Sequence, residues 1–202
     1  KCVLKKYDAL GRIVKNEFPD GSFNKIVFDS WCQKTWDRND TVTDRKTDDK
    51  EYENRWYGSK ILGSIADREA VLKTIKHKDT PTVVHYDSLG RSFLYVRDNG
   101  PYGKHETRYE YDGLSNIAMI KDPRGNILFE GAYDLLKRPI YQRHQDSGAR
   151  RFFYDARGNL IRRWDNKGNV IETEYDELNR PVVAWAKSPG ISYKAGRIVE
   201  KI

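Results

Sequence analysis

The sequence predicts a mainly β chain, an antiparallel strip of hairpins with one short helical insertion, and three observations predict it. The dipeptide Tyr-Asp returns at Tyr7-Asp8, Tyr86-Asp87, Tyr111-Asp112, Tyr133-Asp134, Tyr154-Asp155 and Tyr175-Asp176, the last three copies 21 residues apart. A second kind of turn without the tyrosine, Asp122-Pro123-Arg124-Gly125-Asn126 and Asp165-Asn166-Lys167-Gly168-Asn169, falls midway between copies. Between turns, side chains alternate as on half-buried strands, with Ile127, Phe129, Gly131 and Tyr133 on one face and Leu128, Glu130 and Ala132 on the other. A fixed period of roughly 20 to 50 residues is the signature of a repeat array rather than of a closed globule.

The first element is a hairpin within residues 1–28, turning at Tyr7-Asp8-Ala9-Leu10-Gly11-Arg12. An aspartate opening a turn accepts a hydrogen bond from the backbone two residues on. A glycine three residues after it adopts the positive φ that ends a type I turn with a bulge. Gly11, Gly90 and Gly158 hold that place, and Asn179 and Asn116 are expected to substitute where glycine is missing.

The second element, residues 29–84, breaks the pattern with a tryptophan-rich stretch, Phe28 to Val42. It is followed by a polar segment, Asp48 to Tyr57, expected to begin a short helix. A clearer helix is expected from Ile65 to His77, with Asp67 near its N-terminus and Ala70, Val71 and Ile75 as its apolar stripe. Thr80-Pro81 stops it, and Thr82-Val83-Val84 returns to strand.

The third element is the array at 85–186, and 187–202 is read as a connection to a further part of a longer parent protein. Turns 10 or 11 residues apart leave room for a strand and a turn, so each repeat is a two-stranded unit. The tyrosine closing each strand is expected to stand beside its counterpart in the next repeat, forming a ladder.

Composition agrees with a sheet that has one solvated face. Only 38% of the residues are hydrophobic and 33% are charged, yet 13 Tyr and 5 Trp supply the apolar area a disordered chain lacks. The net charge is +7, but basic residues occur as short pairs among acids, such as Arg150-Arg151 and Arg162-Arg163. No specific nucleic-acid partner is therefore expected. No apolar run approaches the roughly 18 residues of a membrane span.

Cys2 and Cys32 are expected to be free thiols, and His77, His85, His105 and His144 lack metal-ligand spacing. The sequence names no catalytic, metal or cofactor residue. The repeated residues are read as packing and turn-forming groups.

The Tyr-Asp-x-x-Gly-(Arg or Asn) turns resemble those of the Rhs/YD-repeat family. Within it, Asp29, Trp31, Gln33, Trp36, Asp37, Asn39, Asp40, Thr41 and Val42 resemble a stretch in the B component of bacterial Tc insecticidal toxin complexes. Ser30 stands where that stretch has proline. The resemblance implies a sheet strip curled into a hollow shell, secreted or at the cell surface, that encloses a toxic C-terminal polypeptide. It implies the rest of the parent chain and other toxin-complex subunits as partners. That family's self-cleaving Asp-Pro-x-Gly-Leu motif has no counterpart, because Asn126 follows Asp122-Pro123-Arg124-Gly125 on the phase of a repeat turn. A second reading is an adhesive YD-repeat module binding carbohydrate on tryptophans such as Trp164 or Trp185.

Overall fold

The computed structural model describes residues 2–44, 54–189 and 197–201, the last five as backbone only. Two units are distinguished, residues 1–108 and 109–202.

In the first unit, strands β1 (Leu4–Tyr7), β2 (Ile13–Glu17), β3 (Phe23–Phe28) and β4 (Cys32–Trp36) are followed by helices α1 (Arg55–Ile61) and α2 (Ile65–Ile75). Strands β5 (Thr82–Tyr86) and β6 (Ser92–Asp98), a 3-10 turn at Gly100–Tyr102 and β7 (Lys104–Tyr111) come next, β7 running past the division. Each strand lies antiparallel beside its neighbour in sequence. The ladder thus continues through Cys32–Trp36, inside the tryptophan-rich stretch. Among the described residues, what departs from it lies between Trp36 and Thr82.

The second unit holds β8 (Ile117–Lys121), β9 (Ile127–Tyr133), β10 (Pro139–His144), β11 (Gly148–Tyr154), β12 (Leu160–Trp164), β13 (Val170–Tyr175), β14 (Pro181–Lys187) and β15 (Arg197–Lys201). These too lie antiparallel in sequence order. Among the described residues the chain is mainly β, with two α-helices, as its sequence predicts.

The register records the turn chemistry. Tyr7 lies opposite Ile13, Tyr86 opposite Ser92, Tyr133 opposite Pro139, Tyr154 opposite Leu160 and Tyr175 opposite Pro181, with a register shift at each pair. Such a shift is a β-bulge, and it falls where the sequence places a type I turn ending in a left-handed residue. Gly11, Gly90 and Gly158 have φ of 76°, 75° and 92°, and Asn179 has 61°. In the turn after Tyr111 the left-handed residue is Ser115 (φ 68°), not Asn116, and after Tyr133 it is Lys137 (φ 63°). The turn is thus set by its leading aspartate firmly enough to force two residues without special left-handed preference.

Helix α2 ends at Ile75, two residues short of the sequence expectation, and begins at a capping box. Asp67 N–H donates to Ser64 Oγ, Ser64 N–H donates to Asp67 Oδ2, and Lys60 adds an ion pair of 2.7 Å to Asp67. Those bonds, led by that from Lys60, pull the Asp67 pKa down to about 2. Of the expected stripe, Val71 is fully buried and Ile75 half-buried, whereas Ala70 is exposed. Helix α1 starts at Arg55 with Asn54 as its N-cap, and the earlier part of the expected Asp48–Tyr57 helix, 48–53, lies outside the described residues.

Among the described residues the buried apolar side chains are Phe23, Val42, Val71 and Val84, all in the first unit. Repeat strands elsewhere show half-burial on one face, as in β9. The core therefore sits where the helices meet the sheet.

Candidate functional site

Two arrangements organise the described residues, a lock repeated at the hairpin turns and an anchor that ties the helical insertion to the sheet.

The lock is the same in eight turns, those opened by Asp8, Asp87, Asp112, Asp122, Asp134, Asp155, Asp165 and Asp176. In the first of them Asp8 Oδ1 accepts from the backbone N–H of Leu10 and of Arg12, each at 2.9 Å. Asp8 Oδ2 accepts from Arg12 Nε at 2.7 Å. Arg91, Arg138 and Arg180 repeat that side-chain bond at 2.6–2.7 Å. Asn116, Asn126, Asn159 and Asn169 replace it through Nδ2 at 2.8–2.9 Å. Arginine and asparagine are interchangeable here because each offers one donor at the reach of the free carboxylate oxygen. Sequence reasoning saw this position as part of the motif but missed its bond; the signal was the constant spacing of four residues.

These bonds favour the ionised carboxylate, so all eight aspartates are more acidic than an ordinary aspartate. At Asp8, Asp87 and Asp176 the backbone N–H of the fourth residue on is the main cause. At Asp112, Asp122 and Asp165 it is the asparagine side chain. At Asp134 and Asp155 partial desolvation pushes the other way and the summed hydrogen bonds overcome it.

The arginines do a second thing. Arg12 lies over the Phe28 ring at 4.1 Å and Arg138 over the Tyr154 ring at 4.8 Å, in both cases an aromatic closing a later strand. Other closing tyrosines reach the preceding strands through their hydroxyls, Tyr175 to the Leu160 carbonyl (3.1 Å) and Tyr86 to Gln33 Oε1 (3.3 Å). For these four aromatics, the contact that joins successive repeats is to an arginine, a backbone carbonyl or an amide.

The anchor is built from the tryptophan-rich stretch. Asp37 Oδ1 accepts from the N–H groups of Asn39 (2.7 Å) and Asp40 (2.9 Å), while Asp40 Oδ2 accepts from Asp37 N–H (2.7 Å). Asp40 Oδ1 then receives the hydroxyl of Thr80 at 2.6 Å, and the Asp40 carbonyl receives Asp79 N–H at 3.0 Å. Trp36 Nε1 donates to Asp79 Oδ1 at 2.8 Å, so the segment leaving α2 is held at three points. Burial raises the Asp40 pKa, against the opposing hydrogen bond from Thr80.

On the sheet side, Thr41 donates to the Phe23 carbonyl at 2.5 Å, and Asn54 Nδ2 donates to the Thr41 carbonyl at 3.1 Å. Asn54 also caps α1 by accepting Tyr57 N–H. Phe23, Thr41, Val42 and Asn54 are all buried, and Lys15, itself 1% exposed, holds its ammonium 4.4 Å over the Phe23 ring. Of the residues singled out from sequence, Trp36, Asp37 and Asp40 join in this arrangement. Asn39 contributes its backbone, and Trp31, 60% exposed, contributes only a carbonyl to Tyr86 N–H. Phe23, Lys15, Asn54, Asp79 and Thr80 were missed, because nothing local marks them.

Among the described residues no group of His, Cys, Asp and Glu is placed to hold a metal ion, and no helix is long and apolar enough to cross a membrane. Cys2 and Cys32 are free thiols. The tryptophans named for carbohydrate binding are both half-buried. Trp164 has the Arg162 guanidinium 5.7 Å from its ring, and the Trp185 indole N–H is shut away from solvent.

Residues 154–189 match the RHS repeat family model. No curated protein matches the sequence. Among solved structures, the chain is similar to a Photorhabdus luminescens Tc holotoxin pore, with a TM-score of 0.76 and 21% identity over 98% of this chain. It is also similar to TcdB2-TccC3, with a TM-score of 0.75 and 21% identity over 98% of this chain. TcdB2-TccC3 without its hypervariable C-terminal region gives a TM-score of 0.75 and 21% identity over 99% of this chain. In each case the chain spans 9% of the length of the chain it matches. Residues 154–189 thus match an RHS repeat, and the chain that carries them has the fold found in the Tc toxin chains to which it is similar.

Proposed function

We propose that this strip is a non-catalytic wall segment of a secreted toxin shell that encloses a toxic C-terminal polypeptide. The observation that carries the proposal is the turn lock, which spends eight aspartates, and the arginines or asparagines opposite them, on identical hairpin closure. Carboxylates held ionised by three hydrogen bonds each are structural groups, poorly suited to acid–base chemistry near neutrality. The likeness to Tc toxin chains, one of them solved without its hypervariable C-terminal region, supports the same reading. Its partners are then the rest of the parent chain, other toxin-complex subunits and the enclosed polypeptide.

The test is made on the full-length parent protein. Negative-stain imaging should show a hollow particle, and limited proteolysis should spare the C-terminal polypeptide until the particle is opened. A parent protein that forms no particle, with its C-terminal region cut as fast as the free polypeptide, would refute the wall reading.

A further inference from the structure

Residues opposite each other across a strand pair share a face of the sheet, and faces alternate along each strand. In β9 to β14 the strand carboxylates are Glu130, Glu172 and Glu174. Arg143 lies opposite Glu130 and Ala149, Arg162 lies opposite Glu172, and Trp164 lies opposite Arg151, so all three glutamates share the face of Arg151. That face supplies acids for its cations. Arg143 meets Glu130 at 2.8 Å, and Arg162 and Lys187 meet Glu172 at 2.7 and 3.2 Å.

The other face of these strands has no carboxylate, yet it carries Arg150 and Arg163. Both are exposed, and neither has an acidic partner among the described residues. Arg163 stands across from Phe152 on one side and from Ile171 on the other, and Arg150 lies two places before Phe152 on β11. Phe152 and Ile171 are half-buried, and the four side chains border a cleft of about 270 Å³. The turn of Asp165 also borders the cleft, but its carboxylate oxygens are taken by the N–H groups of Lys167 and Asn169 and by Asn169 Nδ2.

We infer that this cleft is an interaction surface, and that its partner is an extended acidic peptide segment of another polypeptide. Charge selects the sign of the partner, because two arginines on a face without acids are matched only from outside. The apolar floor selects a peptide. A chain laid over Phe152 and Ile171 strips water from the neighbouring guanidiniums, and charge-assisted hydrogen bonds to carboxylates gain strength as water leaves. Geometry selects the extended form. Arg150 and Phe152 are alternate residues of one strand, about 6.8 Å apart, and an extended peptide offers alternate side chains at the same interval. A carboxylate over Arg150 thus puts an apolar side chain two places on over Phe152, and Arg163 beside that ring takes the next carboxylate. Nucleic acid fits less well, since its affinity grows with each phosphate neutralised and this face offers two cations.

The experiment is fluorescence anisotropy of the whole 202-residue chain with fluorescein-labelled Gly-Glu-Ser-Leu-Ser-Glu-Gly amide at low salt. The wild type should bind it saturably. Arg150→Gln/Arg163→Gln should raise the dissociation constant at least about tenfold. Arg151→Gln, which removes the same charge from the opposite face, should leave it within about twofold. Circular dichroism checks that the variants are folded. Replacing both glutamates of the peptide by glutamine should abolish binding, and replacing its leucine by serine should weaken it. A wild type that does not bind the peptide overturns the inference, as does an Arg151→Gln variant weakened as much as the double variant. So does a labelled oligothymidylate that binds more tightly than the peptide and is lost in the double variant, or wild-type self-association that the double variant lacks.

Discussion

Phe23 offers the sharpest test of where this chain keeps its core. Phe23→Ala removes a ring that is 0% exposed and carries the Lys15 ammonium 4.4 Å above it. Deleting a buried phenylalanine costs about 3–5 kcal/mol in lost transfer free energy and residual cavity. Losing the desolvated cation–π contact adds up to about 2 kcal/mol. The expected loss is therefore about 3–7 kcal/mol, a large share of the roughly 5–15 kcal/mol of a whole domain. Phe153→Ala is the matched comparison. Its ring is 55% exposed on β11, so about half of the roughly 1.5–3 kcal/mol of full burial is at stake and no cavity forms. Urea unfolding followed by tryptophan fluorescence gives both values, and amide exchange shows where protection is lost. Phe23→Ala should strip protection from β3 and from α1 together, because buried Thr41, bonded to the Phe23 carbonyl, also accepts from Asn54, the cap of α1. If the two substitutions cost the same, or if Phe23→Ala costs less than about 2 kcal/mol, the placement of the core at the insertion is wrong.

Other outcomes follow from the same structure. Asn54→Ala should destabilise by about 1–3 kcal/mol, losing the α1 cap and the Asn54 bond to the Thr41 carbonyl, which keeps the Asp44 N–H, measured by urea unfolding. Lys137→Gly should raise stability by about 1 kcal/mol, since φ is 63° there, whereas Gly158→Ala, at φ 92°, should lower it by about the same or more. Melting temperatures for the pair settle the sign. The eight turn aspartates have folded pKa values below their unfolded value of about 3.9. Their contribution is complete above that pH and is lost as pH falls through the folded values. Asp40, with a raised pKa, acts in the opposite sense but stands alone against eight. Melting temperature should therefore fall steeply below about pH 4, and a flat profile down to pH 2 would contradict the lock.

The backbone and carboxylate of each turn close the hairpin, and the lock uses only the backbone N–H of the residue two after the aspartate. A repeat can hence vary that one position, as Arg157 does, without disturbing the fold.

Strands, turns and their order were legible in the amino-acid sequence because every bond that makes them is local. The aspartate reaches two and four residues along the chain, the left-handed residue lies three along, and each strand pairs with the next. Even the one misplaced left-handed position, Asn116 for Ser115, misjudged a residue while keeping the turn. The anchor was not legible, since its bonds join Trp36 to Asp79, Asp40 to Thr80, Thr41 to Phe23 and Asn54 to Thr41, across 43, 40, 18 and 13 residues. Which of many similar polar residues meet at such distances depends on how the helices settle on the sheet. Burial of Phe23, Val42 and Val71 decides that, and no periodicity announces it. The same holds for the two faces of the tryptophans: composition supplies the rings, and packing alone leaves Trp31 exposed while closing off the polar tip of Trp185.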